Sequence, residues 1–176
     1  GAPRRTTPST TRIYPTPPMT ENDALRQQLV RMLDWQDAHA TFDSAVEGVP
    51  WNVQGVRPAG LPYSAWELLE HLRFTQWDIL EFCRNPGYQE PDWPADYWPD
   101  SPTPPDADAW GESVEAFRAN RESLKELAAD RTVDLFGSIP HGTGQTYLRE
   151  LLLVADHNAY HVGQVVAVRK LLGVWK

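Results

Sequence analysis

A single cysteine, Cys83, stands in a chain of 176 residues. One thiol leaves no intrachain disulfide and no thiolate cluster, so a bound metal would have to be held by nitrogen and oxygen. Cys83 lies in an apolar helical run and reads as a small core residue rather than a nucleophile. Positive charge is scarce too: 16 Lys and Arg against 24 Asp and Glu give a net charge of −8. Without a basic stripe, nucleic acid is excluded as a partner. No stretch reaches the ~18 apolar residues of a membrane span, and the N-terminus lacks the apolar segment of a secretory signal. A lone thiol with no export or membrane segment points to the reducing cytoplasm.

The 41% of hydrophobic residues suffices for one domain with a real core. Eight Trp and six Tyr make large flat side chains important to its packing. Residues 1–18 are rich in Pro, Thr and Arg without hydrophobic periodicity, and read as a disordered leader ahead of a 19–176 domain. From Thr20, a natural N-cap, Leu25, Leu29, Met32, Leu33, Gln36 and Ala40 recur at helical spacing to about Ala45. A loop from Glu47 to Pro62 follows, with Trp51 and Val53 as expected anchors.

The second helix opens on a capping box, Ser64 with Glu67, and ends at Asn85-Pro86-Gly87. Its apolar stripe is Leu68, His71, Leu72, Thr75, Ile79 and Phe82. Residues 85–105 then hold seven prolines, too many for a helix, yet also Tyr88, Trp93, Tyr97 and Trp98. Such a loop is either an ordered strap across the domain or a lid over a pocket mouth. A third helix is expected from about Asp106 to Ala129, with Trp110, Val114, Phe117, Leu124 and Leu127 inward. Residues 131–144 read as loop, with a short extended piece at 133–139. A fourth helix is expected from Gln145 to Leu172, stopped by Gly173, with Leu153, Val154, His157, His161, Gln164, Val165 and Val168 inward. Four amphipathic helices with one long connection predict an all-α four-helix bundle.

The chemistry rests on three histidines. His157 and His161 are four residues apart, so their side chains stack on one helix face about 6 Å apart. That suits two adjacent coordination positions of one metal ion. His71, on the apolar face of another helix, would complete a three-nitrogen set with open positions, as catalytic metal sites have. Each imidazole left alone in a core would need polar partners of its own. The spacing departs from the zinc-protease pattern H-E-x-x-H, because Asn158 stands where the general-base Glu belongs. Gln164, one turn beyond His161, is a candidate to orient a ligand or bound water, Tyr160 and Thr75 are candidate donors near the site, and His141 is a candidate acid or base at its entrance. His39 reads as a packing or surface residue. Glu67, and after it Asp78, are the candidate acceptors for the outer imidazole nitrogens.

Two segments carry a resemblance. One is Ser64-x-x-Glu67-Leu68-Leu69-Glu70-His71. The other is Gly144-Gln145-Thr146 with Asp156-His157-Asn158-Ala159-Tyr160-His161-Val162-Gly163-Gln164 and Arg169-Lys170-Leu171-Leu172-Gly173. Over residues 20–176 the chain resembles the DinB/YfiT-like metalloenzymes. The resemblance implies a four-helix bundle, with His71, His157 and His161 at the family's metal-ligand positions. It implies zinc or nickel, or else iron or manganese, as the divalent ion, and pairing as a homodimer. Members with an assigned reaction are transferases or isomerases of low-molecular-weight thiols such as bacillithiol or mycothiol.

The expected function is thus a metal-dependent thiol S-transferase acting on a small-molecule substrate. A hydrolase on the same site, or a non-catalytic metal- or ligand-binding stress protein, stays open beside it. The thiol reading asks for donors around a pocket mouth, and Arg118, Arg121 and Arg149 are the candidates.

Overall fold

A computed structural model describes residues 18–176; the leader expected at 1–18 lies outside these residues, apart from Pro18. Among them are six α-helices: α1 (Glu21–Leu33), α2 (Phe42–Val46), α3 (Trp51–Gln54), α4 (Ala65–Arg84), α5 (Ala109–Ala129) and α6 (Tyr147–Leu171). A one-turn 3-10 helix covers Ala95–Tyr97, and the one β feature in this range is an isolated bridge between Ser138 and Thr146. The four long helices form the expected all-α bundle. No helix in this range is long and apolar enough to cross a membrane.

Around the bundle the order is α1, α5, α4, α6, each packed on its two neighbours. Side-chain bonds fix the directions. Glu70 meets Ser113 and Gln76 meets the carbonyl of Phe117, so α4 and α5 run parallel. His71 faces His161 and Gln76 faces Asn158, so α4 and α6 are antiparallel. Parallel neighbours cannot be joined by a short turn, so the chain must return along the bundle. Residues 85–108 make this return beside α4. Tyr88 reaches Asp78, Tyr97 and Trp98 reach His71, and the carbonyl of Pro102 accepts from Ser64 at the helix start. The aromatic loop is therefore a strap that passes the histidines on its way back.

The helix ends follow local chemistry. Ser64 Oγ accepts from the amide of Glu67, whose carboxylate accepts from the amide of Ser64. Ser64 is fully buried and also donates to Pro102 at 2.6 Å. Ser64→Ala should destabilise the protein by about 1–2 kcal/mol in urea unfolding, the usual cost of a lost cap. Arg26, buried on α1, donates to the carbonyls of Ala128 and Asp130 and so satisfies the C-terminal end of α5. Gly173, at φ +71°, ends α6 in the left-handed conformation that glycine adopts freely.

Several expectations need correction. The first helix does not reach Ala45; it stops at Leu33, and a link runs to α2. Asp34 turns aside to ion-pair with Arg121 and Lys125 of α5, and Thr41 starts a new helix by capping Ser44. His39 is therefore on an exposed link rather than on a helix. The third helix starts at Ala109, because Asp106 accepts from the amides of Asp108 and Ala109 and holds the chain in a turn. The fourth starts at Tyr147, capped by Thr146. No strand forms at 133–139, although Leu135 and Ile139 are buried. Leu153, expected inward, is 36% exposed; α6 turns its neighbours Leu151 and Val154 to the core instead. Trp51 and Trp93 lie largely in solvent, whereas Val53 and Tyr97 pack as expected.

The interior has two apolar clusters. One, around Leu68, Leu72, Phe117 and Val165, supports the end of the bundle that carries the histidines. The other, around Leu80, Leu124, Leu151 and Ile139, fills the opposite end. Each fully buried leucine contributes roughly 1.5–3 kcal/mol. This close packing sets the spacing of α4 and α6 and with it the distance between their imidazoles.

Candidate metal centre

His71 sits on α4 six residues after its first residue, Ala65; His157 and His161 sit on α6 where it crosses α4. The Nε2 atom of His71 lies 3.1 Å from Nε2 of His161 and 3.1 Å from Nε2 of His157. Nitrogens held by one tetrahedral ion at 2.0–2.1 Å are about 3.3 Å apart. The donor spacing therefore fits a single small cation, and the three residues are such a group by position. No carboxylate belongs to the cluster among the described residues.

The outer nitrogens explain which way each ring faces. His71 Nδ1 is 2.8 Å from the carbonyl oxygen of Tyr97, which can only accept, so Nδ1 carries the proton. A neutral His71 then has a bare lone pair at Nε2. Trp98 lies flat on the same ring, centroids 3.9 Å apart, and fixes its plane. His161 Nδ1 is 2.6 Å from Gln164 Oε1, and Gln164 Nε2 donates to the hydroxyl of Tyr63 at 2.8 Å. That orientation of the amide gives His161 the same tautomer. Two lone pairs 3.1 Å apart repel each other, and a shared cation removes the repulsion. His157 is less supported: its Nδ1 is buried without a partner, as is Oδ1 of the adjacent Asn158. The donor that a metal-facing His157 would present matches that unused acceptor.

Burial keeps the trio neutral. It pushes His71 down to about 4 against the opposing effect of the Tyr97 carbonyl, with the nearby His161 lowering it further. His157 falls to about 3, from burial first and then from the other two imidazoles. His161 is lowered by burial, partly offset by Gln164. As pH falls below the ordinary histidine value near 6.5, the unfolded chain takes up protons that the folded chain refuses. The stability contributed by neutral His71 and His157 is therefore complete above about pH 6.5. It drains away as pH falls toward their folded values, about 4 and about 3. In chelator the melting temperature should drop by several degrees between pH 7 and pH 5. A variant with all three histidines replaced by leucine should lose most of that slope; an unchanged slope would assign it to other groups.

The other anticipated residues divide. Gln164 joins the site through His161, and exposed Tyr160 sets its ring edge-on to His161 at 4.9 Å. Thr75, one turn beyond His71, has a buried hydroxyl without a partner. His141 is not brought to the cluster: it holds the carbonyl of Phe82, three turns along α4 from His71. Glu67 does not reach His71, since Arg57 and Ser64 occupy its oxygens. Asp78 accepts from the hydroxyls of Tyr88 and Tyr97, both at 2.7 Å, and so acts on His71 only through the strap. Arg118 and Arg121 are paired with Asp43, and Arg149 with Glu150, so none of the three points its charge at the histidines.

The sequence reading missed Tyr97 and Trp98 as partners of His71, and Tyr63 as partner of Gln164. Every residue has a carbonyl, so only the path of the strap could reveal the one that matters. Replacing Gln164 with Leu should weaken divalent-metal binding about 10–100-fold, the usual effect of losing an outer partner. Gln164→Glu, which keeps the acceptor, should retain most of it. Equal binding by all three proteins in a chelator competition would remove Gln164 from the site.

Comparison with curated proteins found no match, and comparison with solved structures found none either. The family model of the DinB superfamily matches residues 34–165, a span that includes all three histidines. Since it covers most of the chain, on a helical bundle with that histidine cluster, this protein belongs to the DinB superfamily.

Proposed function

We propose that the protein is a divalent-metal-dependent enzyme that transfers a low-molecular-weight thiol to a small electrophilic substrate, with His71, His157 and His161 as its metal ligands. The observation that carries this reading is the convergence of three neutral imidazoles on one point, with no carboxylate in the cluster among the described residues. Zinc and nickel are among the ions that such a nitrogen set suits. When bound, such an ion keeps its full charge among neutral ligands and lowers the pKa of a thiol placed on it, so the reactive anion is available at neutral pH.

The chain's own residues hold and shield the site. The Tyr97 carbonyl and Gln164 keep protons on the outer nitrogens of His71 and His161, leaving the inner ones free to bind. Trp98 covers one face of His71 and excludes water there. Hydrolysis is the weaker reading. Activating water calls for a nearby base, yet Asn158 replaces the usual glutamate, and Glu67 and Asp78 are engaged elsewhere. With none of Arg118, Arg121 and Arg149 pointing its charge at the histidines, polar groups of the thiol would have to meet uncharged neighbours of His161 such as Tyr63, Tyr160 and Gln164. Pairing of two copies belongs to the same proposal and can be checked by sedimentation velocity.

The test is metal analysis of tag-free protein followed by thiol-transfer assays with simple electrophiles. One ion per chain is expected, with turnover lost on chelation and restored by a single metal. Stoichiometric metal without turnover toward any thiol would make the protein a binding module instead.

A further inference from the structure

Helix α6 has a second functional-looking face. At 3.6 residues per turn, Ala155, Ala159 and Val162 point almost opposite to His157 and His161. The small side chains at 155 and 159 leave room there, and a cavity of about 530 Å³ opens between α6, α5 and the link after α1. That volume lies within the range of small-molecule sites, roughly 300–1,000 Å³. Trp35 forms part of one wall, and the stacked pair Phe42 and Phe117 lines another. None of the three histidines lines it.

The polar groups in this cavity are incompletely matched. Arg121 is only 9% exposed. Its Nη1 donates to Asp43 at 2.9 Å, but Nη2 has no acceptor among the described residues. Its Nε lies 2.9 Å from Asp34 Oδ1, yet off line, so that neither atom is hydrogen-bonded. Nη2 is thus a donor available to a group in the cavity, and the Asp34 oxygen, ion-paired at a poor angle, keeps a lone pair for a second donor. Both residues line the cavity.

The charges decide what that something is. The lining carries Asp34, Asp43 and Asp156 against Arg121. Lys125 and Arg118 approach the first two carboxylates from outside, and are themselves paired with Glu122 and Glu115. No surplus of positive charge awaits an anion. A cation would leave the Arg121 donors unmet. An uncharged group that both accepts and donates satisfies both sides at once, and a carboxamide does this with its C=O toward Arg121 and its N–H toward Asp34. We infer that the cavity behind α6 is a binding site for an uncharged, flat and largely apolar small molecule bearing a carboxamide or cyclic amide.

This site is separate from the metal centre, so it can be tested with the ion absent. Three probes of nearly equal shape are titrated into the full chain in chelator and followed by fluorine NMR: 4-fluorobenzamide, 4-fluorobenzoate and 4-fluorobenzylamine. Saturable binding of the amide, about tenfold tighter than the acid or the amine, is expected. Ala159→Phe, which fills the cavity, should weaken amide binding at least about tenfold. If that variant does not fold, Trp35→Ala on the half-buried link takes its place and should show the same loss. No saturable amide binding, no preference for the amide, or full binding in the folded variant each overturns the assignment.

Discussion

His161→Ala should lower the affinity of the protein for a divalent ion by about 1,000-fold or more, some 4 kcal/mol, while leaving the fold intact. The ring contributes one of three nitrogens to the proposed ion, and its Nε2 is within 3.1 Å of that of His71. Two ligands cannot close the first coordination shell, so affinity should fall well beyond the 10–100-fold expected for an outer partner. Stability should respond differently. In the metal-free protein the His161 lone pair faces that of His71, so removing the ring relieves a repulsion even as it leaves a small void. Thermal melts in chelator should therefore differ by no more than about 1 kcal/mol, whereas added metal should raise the melting temperature of the unaltered protein alone. Equal metal content in the two proteins would falsify the ligand assignment.

Asp78→Ala should be the most damaging change outside the histidines. Asp78 is buried two turns beyond His71 on α4 and receives the hydroxyls of both Tyr88 and Tyr97. Hydrogen bonds to a charged acceptor contribute about 1.5–3 kcal/mol each, so losing both should cost roughly 3–5 kcal/mol in denaturant unfolding. The consequence for the site is more specific. Tyr97 holds Asp78 with its side chain and His71 with its main chain, and Trp98, the next residue, lies on the His71 ring. Loosening the strap should therefore loosen the ring and weaken metal binding about 10–100-fold. Tyr97→Phe should show a smaller version of both effects. Tyr88→Phe, which cuts the anchor farther from the ring, should lower stability with little change in metal affinity. If Tyr97→Phe leaves both metal affinity and the nitrogen NMR signals of His71 untouched, the strap does not position that ring.

Both ends of α4 and the stop of α6 could be read from the sequence, because caps are local. Ser64, Glu67 and Gly173 act within a few residues of themselves, and the structure uses all three as their types require. The start of α6, expected at Gln145, lies at Tyr147 behind the Thr146 cap. The break after Leu33 could not be read. No glycine or proline marks it, and its causes lie about ninety residues away, in the partners of Asp34 on α5. The aromatic loop was visible as a strap or a lid, but its course was not. Parallel packing of α4 and α5 sends it back along α4, and helix direction is a property of the assembled bundle.

The histidines divide along the same line. Their type, their four-residue step and their place on apolar stripes are set by the chain alone, since helical periodicity converts spacing into a shared face. That the Nε2 atoms of His157 and His161 each come to 3.1 Å from that of His71, with a backbone carbonyl and a glutamine behind two of the rings, was decided only by the packing of α4, α6 and the strap. Periodicity acts over a few residues, whereas convergence depends on the distance and angle between elements distant in the chain, and the whole core sets those.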